Sequence, residues 1–173
     1  MNKNKILILI YVDDILISSD SPKLIESTVQ LLETNFKLKK LGFPTKFLGI
    51  TIERTTNHSI LLHQQDQVEN ILNEFEYDKD FHPTTPMREF KNIQIPSTEE
   101  ITIYPYRTII GKLLFLANMT RLDIAYAVGY LARHQITPQR IHHKMISHLL
   151  SYLACHKKLG LIYEKEQTVP PEL

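Results

Sequence analysis

The chain opens on a run that is apolar at nearly every position. Residues 5–18 read KILILIYVDDILIS, and only the adjacent Asp13 and Asp14 interrupt the middle of it. The segments 5–11 and 14–19 are rich in β-branched residues and predict two strands joined at the acidic pair. No polar group except the Tyr11 hydroxyl falls between Ile6 and Val12, so the stem of this hairpin is expected to be largely buried. Ser21 then offers a helix N-cap with Pro22 at the first helical position. Ile25, Val29, Leu32 and Phe36 recur at helical spacing and predict one buried stripe.

The pattern changes twice more. FLGITIER and SILLHQ read as a second strand pair with TTNH as the turn. Val68, Ile71, Leu72 and Phe75 return to helical spacing. Residues 78–105 carry Pro83, Pro86, Pro96 and Pro105 without periodicity and predict a linker or surface excursion. YRTIIGKLLFLANM and LDIAYAVGYLARHQ are apolar on most faces and predict packed helices. A third helix is expected to start at Thr137 and Pro138, and LGLIY predicts a short strand. The polar end, EKEQTVPPEL, is expected to fray. These elements give an α+β fold class.

Composition narrows the setting. The 173 residues are 43% hydrophobic and 23% charged, enough for one ordinary domain or two small ones. A net charge of +1 argues against strong autonomous grip on nucleic acid. The single cysteine, Cys155, excludes an internal disulfide framework. The apolar opening is too short and interrupted to span a bilayer. It lacks a signal-peptide cleavage pattern, so an intracellular protein without a membrane partner is expected.

Two adjacent carboxylates in an apolar run are costly without compensation by water, a cation or a metal. A plain turn facing solvent is the ordinary reading of such a pair. A buried stem that pushes both carboxylates out at its tip suits divalent cations instead. Mg²⁺ takes oxygen ligands, commonly one or two carboxylates plus substrate phosphates. A receiver-domain reading, with an acidic pair after the first strand, fails here. A strand rather than a helix follows the pair, and no later apolar strand ends in Asp. Among eight histidines, five lie between residues 134 and 156, and none of those five forms an i, i+4 pair. This spacing argues against a metal site. His142 falls in the apolar arc of Ile141, Met145, Leu149 and Leu153 and is expected to be a hydrogen-bonded core histidine. His143, Lys144 and His148 are expected on the polar side.

YVDD between two apolar strands resembles the signature of reverse transcriptases. LGFPTKFLGITIER resembles the segment that follows in copia-type LTR-retrotransposon polymerases. YRTIIGKLLFLANMTRLDIAYAVGYLARH and PQRIHHKMISHLLSYL with LGLIY resemble that family's later patterns, in order, over most of residues 5–163. The resemblance implies a partial polymerase palm over 1–63, a thumb start and Pro-rich linker over 64–104, and a helical thumb or connection region over 105–173.

It also implies roles. Asp13 and Asp14 match the catalytic, metal-binding carboxylates of two-metal nucleotidyl transfer with Mg²⁺ or Mn²⁺, two ions in the complete enzyme. Such ions stand ~3.5–4 Å apart and clamp the attacking and leaving oxygens. Tyr11 and Val12 match positions beside the primer end and the incoming base pair. Phe47, Leu48 and Gly49 match a primer-binding strand, although Phe47 and Leu48 read equally well as core. Gly49 is expected to permit close approach of backbone or ligand. Lys37, Lys39, Lys40 and Lys46, with Arg54 beyond, form a local basic cluster. They could meet primer–template phosphates, or a solvated face, and one lysine near here is expected as proton donor.

The implied partners are an RNA/DNA primer–template and dNTP. The implied setting is a polyprotein active in a cytoplasmic virus-like particle or the nucleus. Three departures stand inside the match: Leu122 where the family has proline, His143 where it has tryptophan, and the stretch around Cys155 where it has a glycine-containing turn. The family's first catalytic Asp and its fingers have no counterpart in these residues. The chain alone is therefore expected to be inactive unless an upstream polymerase fragment joins it. A sheet lacking partner strands is expected to expose an edge. A retained binding module for nucleic acid or protein, or a functionless transposon remnant, are the alternative readings.

Overall fold

The computed structural model describes residues 5–56, 59–88, 100 and 102–164. The chain divides between Pro44 and Thr45 into two compact units. Helices and antiparallel strands are both present, as an α+β class requires.

The first unit holds strands β1 (Ile6–Tyr11) and β2 (Asp14–Ser19) and helix α1 (Pro22–Glu33). The strands pair antiparallel with Leu9 opposite Leu16 and Tyr11 opposite Asp14. Ser19 Oγ donates to the Lys5 carbonyl at 2.6 Å and accepts the Ser21 N–H at 3.2 Å, which steers the chain from β2 into α1. Pro22 opens the helix after an extended Ser21, whose side chain makes no capping bond. The Ser21 carbonyl accepts instead, from the Leu24 and Ile25 N–H groups at 3.0 and 3.2 Å.

The expected burial of this hairpin is not found. Leu7 is 71% exposed, Leu9 53%, Ile10 65% and Val12 82%, and no described residue of the unit is fully buried. The physical reason is supply. Both strands are apolar on both faces, and a two-stranded ribbon with one helix lacks the layers to cover them. The α1 stripe is likewise only half-buried at Ile25, Val29 and Leu32, and Phe36 lies beyond the helix and is exposed.

The second unit holds the core. Strands β3 (Lys46–Phe47), β4 (Ile50–Arg54), β5 (Ile60–His63) and β6 (Gly160–Tyr163) form one antiparallel sheet in that order. The expected β4–β5 pair is present, and its turn residues Asn57 and His58 lie outside the described residues. LGLIY forms β6 as expected, and it closes the sheet from far along the chain, with Leu62 opposite Leu161.

Helices α2 (Gln65–Glu74), α3 (Tyr106–Met119), α4 (Ala125–Ala132) and α5 (Arg140–Cys155) supply the core, with a 3₁₀ turn at Leu122–Ile124. Val68, Ile109, Ile110, Leu113, Val128, Ile146 and Leu149 are fully enclosed. The expected α2 stripe of Val68, Ile71, Leu72 and Phe75 is buried. The described part of 78–105 contains neither helix nor strand, while residues 89–99 and 101, Pro96 among them, lie outside the described residues, as do 165–173.

Two expectations about α5 change. The helix begins at Arg140 with Gln139 as its cap, two residues beyond Pro138, because the His142 side chain closes a capping box there. His142 is a buried, hydrogen-bonded histidine as expected. His143 and His148 are buried too, instead of facing solvent. His143 sits between the Tyr104 and Tyr106 rings, and His148 packs on Phe81 and bonds the Thr85 carbonyl at 2.9 Å.

Candidate nucleotidyl-transfer site

The Asp pair stands at the tip of the β1–β2 hairpin. Tyr11 and Asp14 face each other as the last strand pair, which leaves Val12 and Asp13 as a two-residue turn. Val12 has φ of 51°. A β-branched residue in the left-handed region is a genuine outlier. Such strain costs on the order of 1–3 kcal/mol and concentrates at functional sites. The tight turn displaces Asp13 from the regular alternation of strand side chains, while Asp14 keeps its strand position. Both carboxylates and Tyr11 are exposed.

A second turn of related design lies in the other unit. Phe47 pairs with Ile50, and Leu48 and Gly49 between them have φ of 50° and 78°. Positive φ at both central residues is what a two-residue type I′ hairpin requires. Gly49 is therefore needed for its backbone conformation. A Cβ there would meet Gln67 Nε2 at 3.5 Å and the Phe115 ring at 3.6 Å, which is ordinary contact, so the expected close approach is not what demands the glycine. Phe47 and Leu48 are half-buried. Lys46 donates to Asp66 Oδ2 at 2.7 Å, and that hydrogen bond, with the lysine charge, holds the Asp66 carboxyl below its ordinary value.

The expected site residues thus fall in two sets. Tyr11, Val12, Asp13 and Asp14 share one tip, and Lys46, Phe47, Leu48 and Gly49 share another, in separate compact units. The basic cluster is divided in the same way. Lys40 pairs with Glu33 at 3.0 Å in the first unit, while Lys46 and Arg54 belong to the second. Among the described residues no group of three or more His, Cys, Asp or Glu side chains could hold a metal ion.

Sequence reasoning missed two features. One is a 440 Å³ groove between α2 and α3, lined by Gln67, Asn70, Arg107, Thr108 and Lys112 over Ile71 and Phe115. Its signal was available in Arg107, Thr108 and Lys112, spaced along one helix. The other is the buried Arg121, whose three side-chain hydrogen bonds reach Asp123 and the His156 carbonyl at the end of α5, and nothing local in the sequence marked it for burial.

Comparison with known proteins follows the same residues. A family model described as reverse transcriptase (RNA-dependent DNA polymerase) matches residues 1–89. A putative transposon Ty5-1 protein of Saccharomyces cerevisiae is 35% identical over 161 residues, covering 91% of this chain and 52% of the yeast protein. The Pol polyprotein from transposon RE1 of Arabidopsis thaliana is 32% identical over 168 residues, 96% of this chain and 11% of the polyprotein. That from transposon TNT 1-94 of Nicotiana tabacum is 31% identical over 158 residues, 87% of this chain and 12% of the polyprotein. No solved structure gives a significant match. Among the described residues no helix is long and apolar enough to cross a membrane. The chain spans half of its yeast relative and a small part of the plant polyproteins, and the match to the family model takes in the YVDD tip and the FLGI turn alike: the chain belongs to the reverse transcriptase (RNA-dependent DNA polymerase) family, in its copia-type retrotransposon polyprotein branch.

Proposed function

We propose that Asp13 and Asp14 are catalytic carboxylates of RNA-directed DNA synthesis, acting on a primer–template and dNTP. The observation that carries this reading is the hairpin tip, where a strained Val12 presents both carboxylates to solvent within the segment matched to the family. In this reading 1–63 is palm, 64–104 the start of the thumb with its linker, and 105–173 thumb or connection.

The donor set fits Mg²⁺ or Mn²⁺, which prefer oxygen ligands and commonly take one or two carboxylates with substrate phosphates. Bound there, the metal supplies charge neutralisation at the transferring phosphate and activation of the attacking hydroxyl. Asp13, displaced by the turn, is the main ligand, and Asp14 shares the charge. Tyr11 and Val12 flank the primer end and the incoming base pair. The turn Phe47–Gly49, with Lys46, holds the primer. Two metal positions need a carboxylate beyond Asp13 and Asp14, and no described cluster supplies it. The reading therefore requires a further polymerase segment, and residues 1–173 alone do not polymerise. The exposed apolar faces of β1 support it, since Leu7, Leu9 and Ile10 lack a covering layer within their unit.

Titration with Mn²⁺ tests the site. Paramagnetic broadening confined to resonances of Tyr11–Ile15, and abolished by Asp13→Asn with Asp14→Asn, is expected. Broadening that survives the double substitution would remove the assignment.

A further inference from the structure

His142 and His143 begin α5 side by side, and each accepts a backbone N–H through Nδ1. The Gln139 N–H donates to His142 at 2.9 Å, and the Tyr104 N–H donates to His143 at 3.1 Å. The two donors come from different segments, the α4–α5 connection and the stretch before α3. Both rings are nearly enclosed, at 4% and 6% exposure. His134 stacks on His142 with centroids 3.9 Å apart and planes at 20°.

We propose that this histidine pair is an acid-sensitive clasp: neutral, it ties the first turn of α5 to both segments, and protonation releases them while the helical core stays folded. The chemistry follows from the acceptor atom. A neutral ring with Nδ1 as acceptor carries its proton on Nε2. A second proton must enter at Nδ1, where it would face the incoming N–H. It would also put positive charge at the N-terminus of a 16-residue helix, the unfavourable end for a cation.

The surroundings offer little relief. Around His142 stand His134 from the connection, then Tyr130 of α4, which lies against His134, and Arg133 just past α4, which stands over the Tyr130 ring. Arg107 of α3 donates to the Gln135 carbonyl of the same connection at 3.5 Å. Arg140 and Lys144 flank the pair on α5. Around His143 stand Tyr104 and Tyr106, and the Tyr104 hydroxyl donates to the Glu76 carbonyl at 2.5 Å. The Glu76 carboxylate acts on Tyr104. Burial pushes both histidines below their ordinary value, and for His142 the charges of His134 and His143 add to it. The release therefore runs in one direction. The clasp is intact above the ordinary histidine range and is lost as pH falls through and below it.

Amide hydrogen exchange of the 173-residue chain, normalised to intrinsic rates, tests this at pH 7.5 and pH 5. Protection at the Gln139 and Tyr104 amides is expected to drop about tenfold or more, the equivalent of one pKa unit, with Leu113 and Leu116 of α3 unchanged. Asparagine places a non-titrating acceptor near the Nδ1 position, so His142→Asn with His143→Asn is expected to flatten the pH dependence. Protection that stays constant across the range, or that falls at α3 in step with the clasp, would overturn the proposal. Persistence of the full pH dependence in the double variant would overturn it as well.

Discussion

Arg121 is wholly buried and grips Asp123 with two hydrogen bonds, Nε to Oδ1 at 3.0 Å and Nη2 to Oδ2 at 2.8 Å. The same guanidinium donates from Nη1 to the His156 carbonyl at 3.0 Å, at the C-terminal end of α5. The Tyr152 hydroxyl donates to Asp123 Oδ2 at 3.0 Å. One residue earlier, Thr120 Oγ1 donates to Gln64 Oε1 at 2.9 Å, where β5 passes into α2. The TRLD stretch thus fastens the segments that lead out of β5 and into β6.

Removing Arg121 leaves the Asp123 carboxylate without its partner and the α5 terminus without a donor. Breaking a buried pair in this way costs about 3–5 kcal/mol. Arg121→Ala is expected to lower the unfolding free energy by that amount, with Arg121→Lys recovering only part because a lysine cannot make the paired contact. Urea titration monitored by helical circular dichroism measures it.

The pair also sets an acid limit. Burial pushes the Asp123 carboxyl up, but hydrogen bonding to Arg121, its charge and the Tyr152 hydroxyl outweigh that and hold it below its ordinary value. A depressed carboxyl contributes stability that is complete above the unfolded value, near 3.9, and is lost as pH falls through the folded one. Stability of the second unit is expected to decline below about pH 4, and Asp123→Asn is expected to lessen that decline while lowering stability at neutral pH.

Gly160 carries the closing of the sheet. A Cβ there would collide with the Leu62 carbonyl oxygen and stand 2.9 Å from His63 Cβ. Backbone cannot turn aside as a side chain does. Gly160→Ala is expected to cost about 1–3 kcal/mol, the range for overpacking. Amide exchange should show the β5–β6 bonds weakened and the β4–β5 bonds retained.

Val12 is held at φ of 51° in a turn that asparagine would accept more readily. Val12→Asn is expected to stabilise the hairpin by about 1–2 kcal/mol, the left-handed penalty for an ordinary residue. Exchange protection at Leu9 and Leu16 reports the gain.

Local chemistry explains what could be read from the chain. The apolar runs on either side of Asp13–Asp14 gave both strands and the tip, and helical spacing at Val68, Ile71, Leu72 and Phe75 gave α2 and its buried side. An apolar run states a demand for cover and says nothing of whether cover is present, which is why the hairpin's exposure was not legible. The pairing of Leu62 with Leu161 lies across a long separation that no periodicity encodes. His143 read as a polar-side residue because its burial rests on partners from another segment, and nothing local marked Arg121 for burial. At the candidate site the identity of the carboxylates was legible. The positive φ of Val12 and Leu48 was not, since neither residue favours it.

The most direct test of the catalytic assignment is primer extension on an RNA template with Mg²⁺, with and without a polymerase segment that supplies a further carboxylate. The expected result is no extension by residues 1–173 alone and extension by the complemented pair. Asp13→Ala or Asp14→Ala should lower the latter on the order of 10²–10³-fold, as loss of a key electrostatic group does. Extension by the complemented pair that is undiminished in both variants would contradict it.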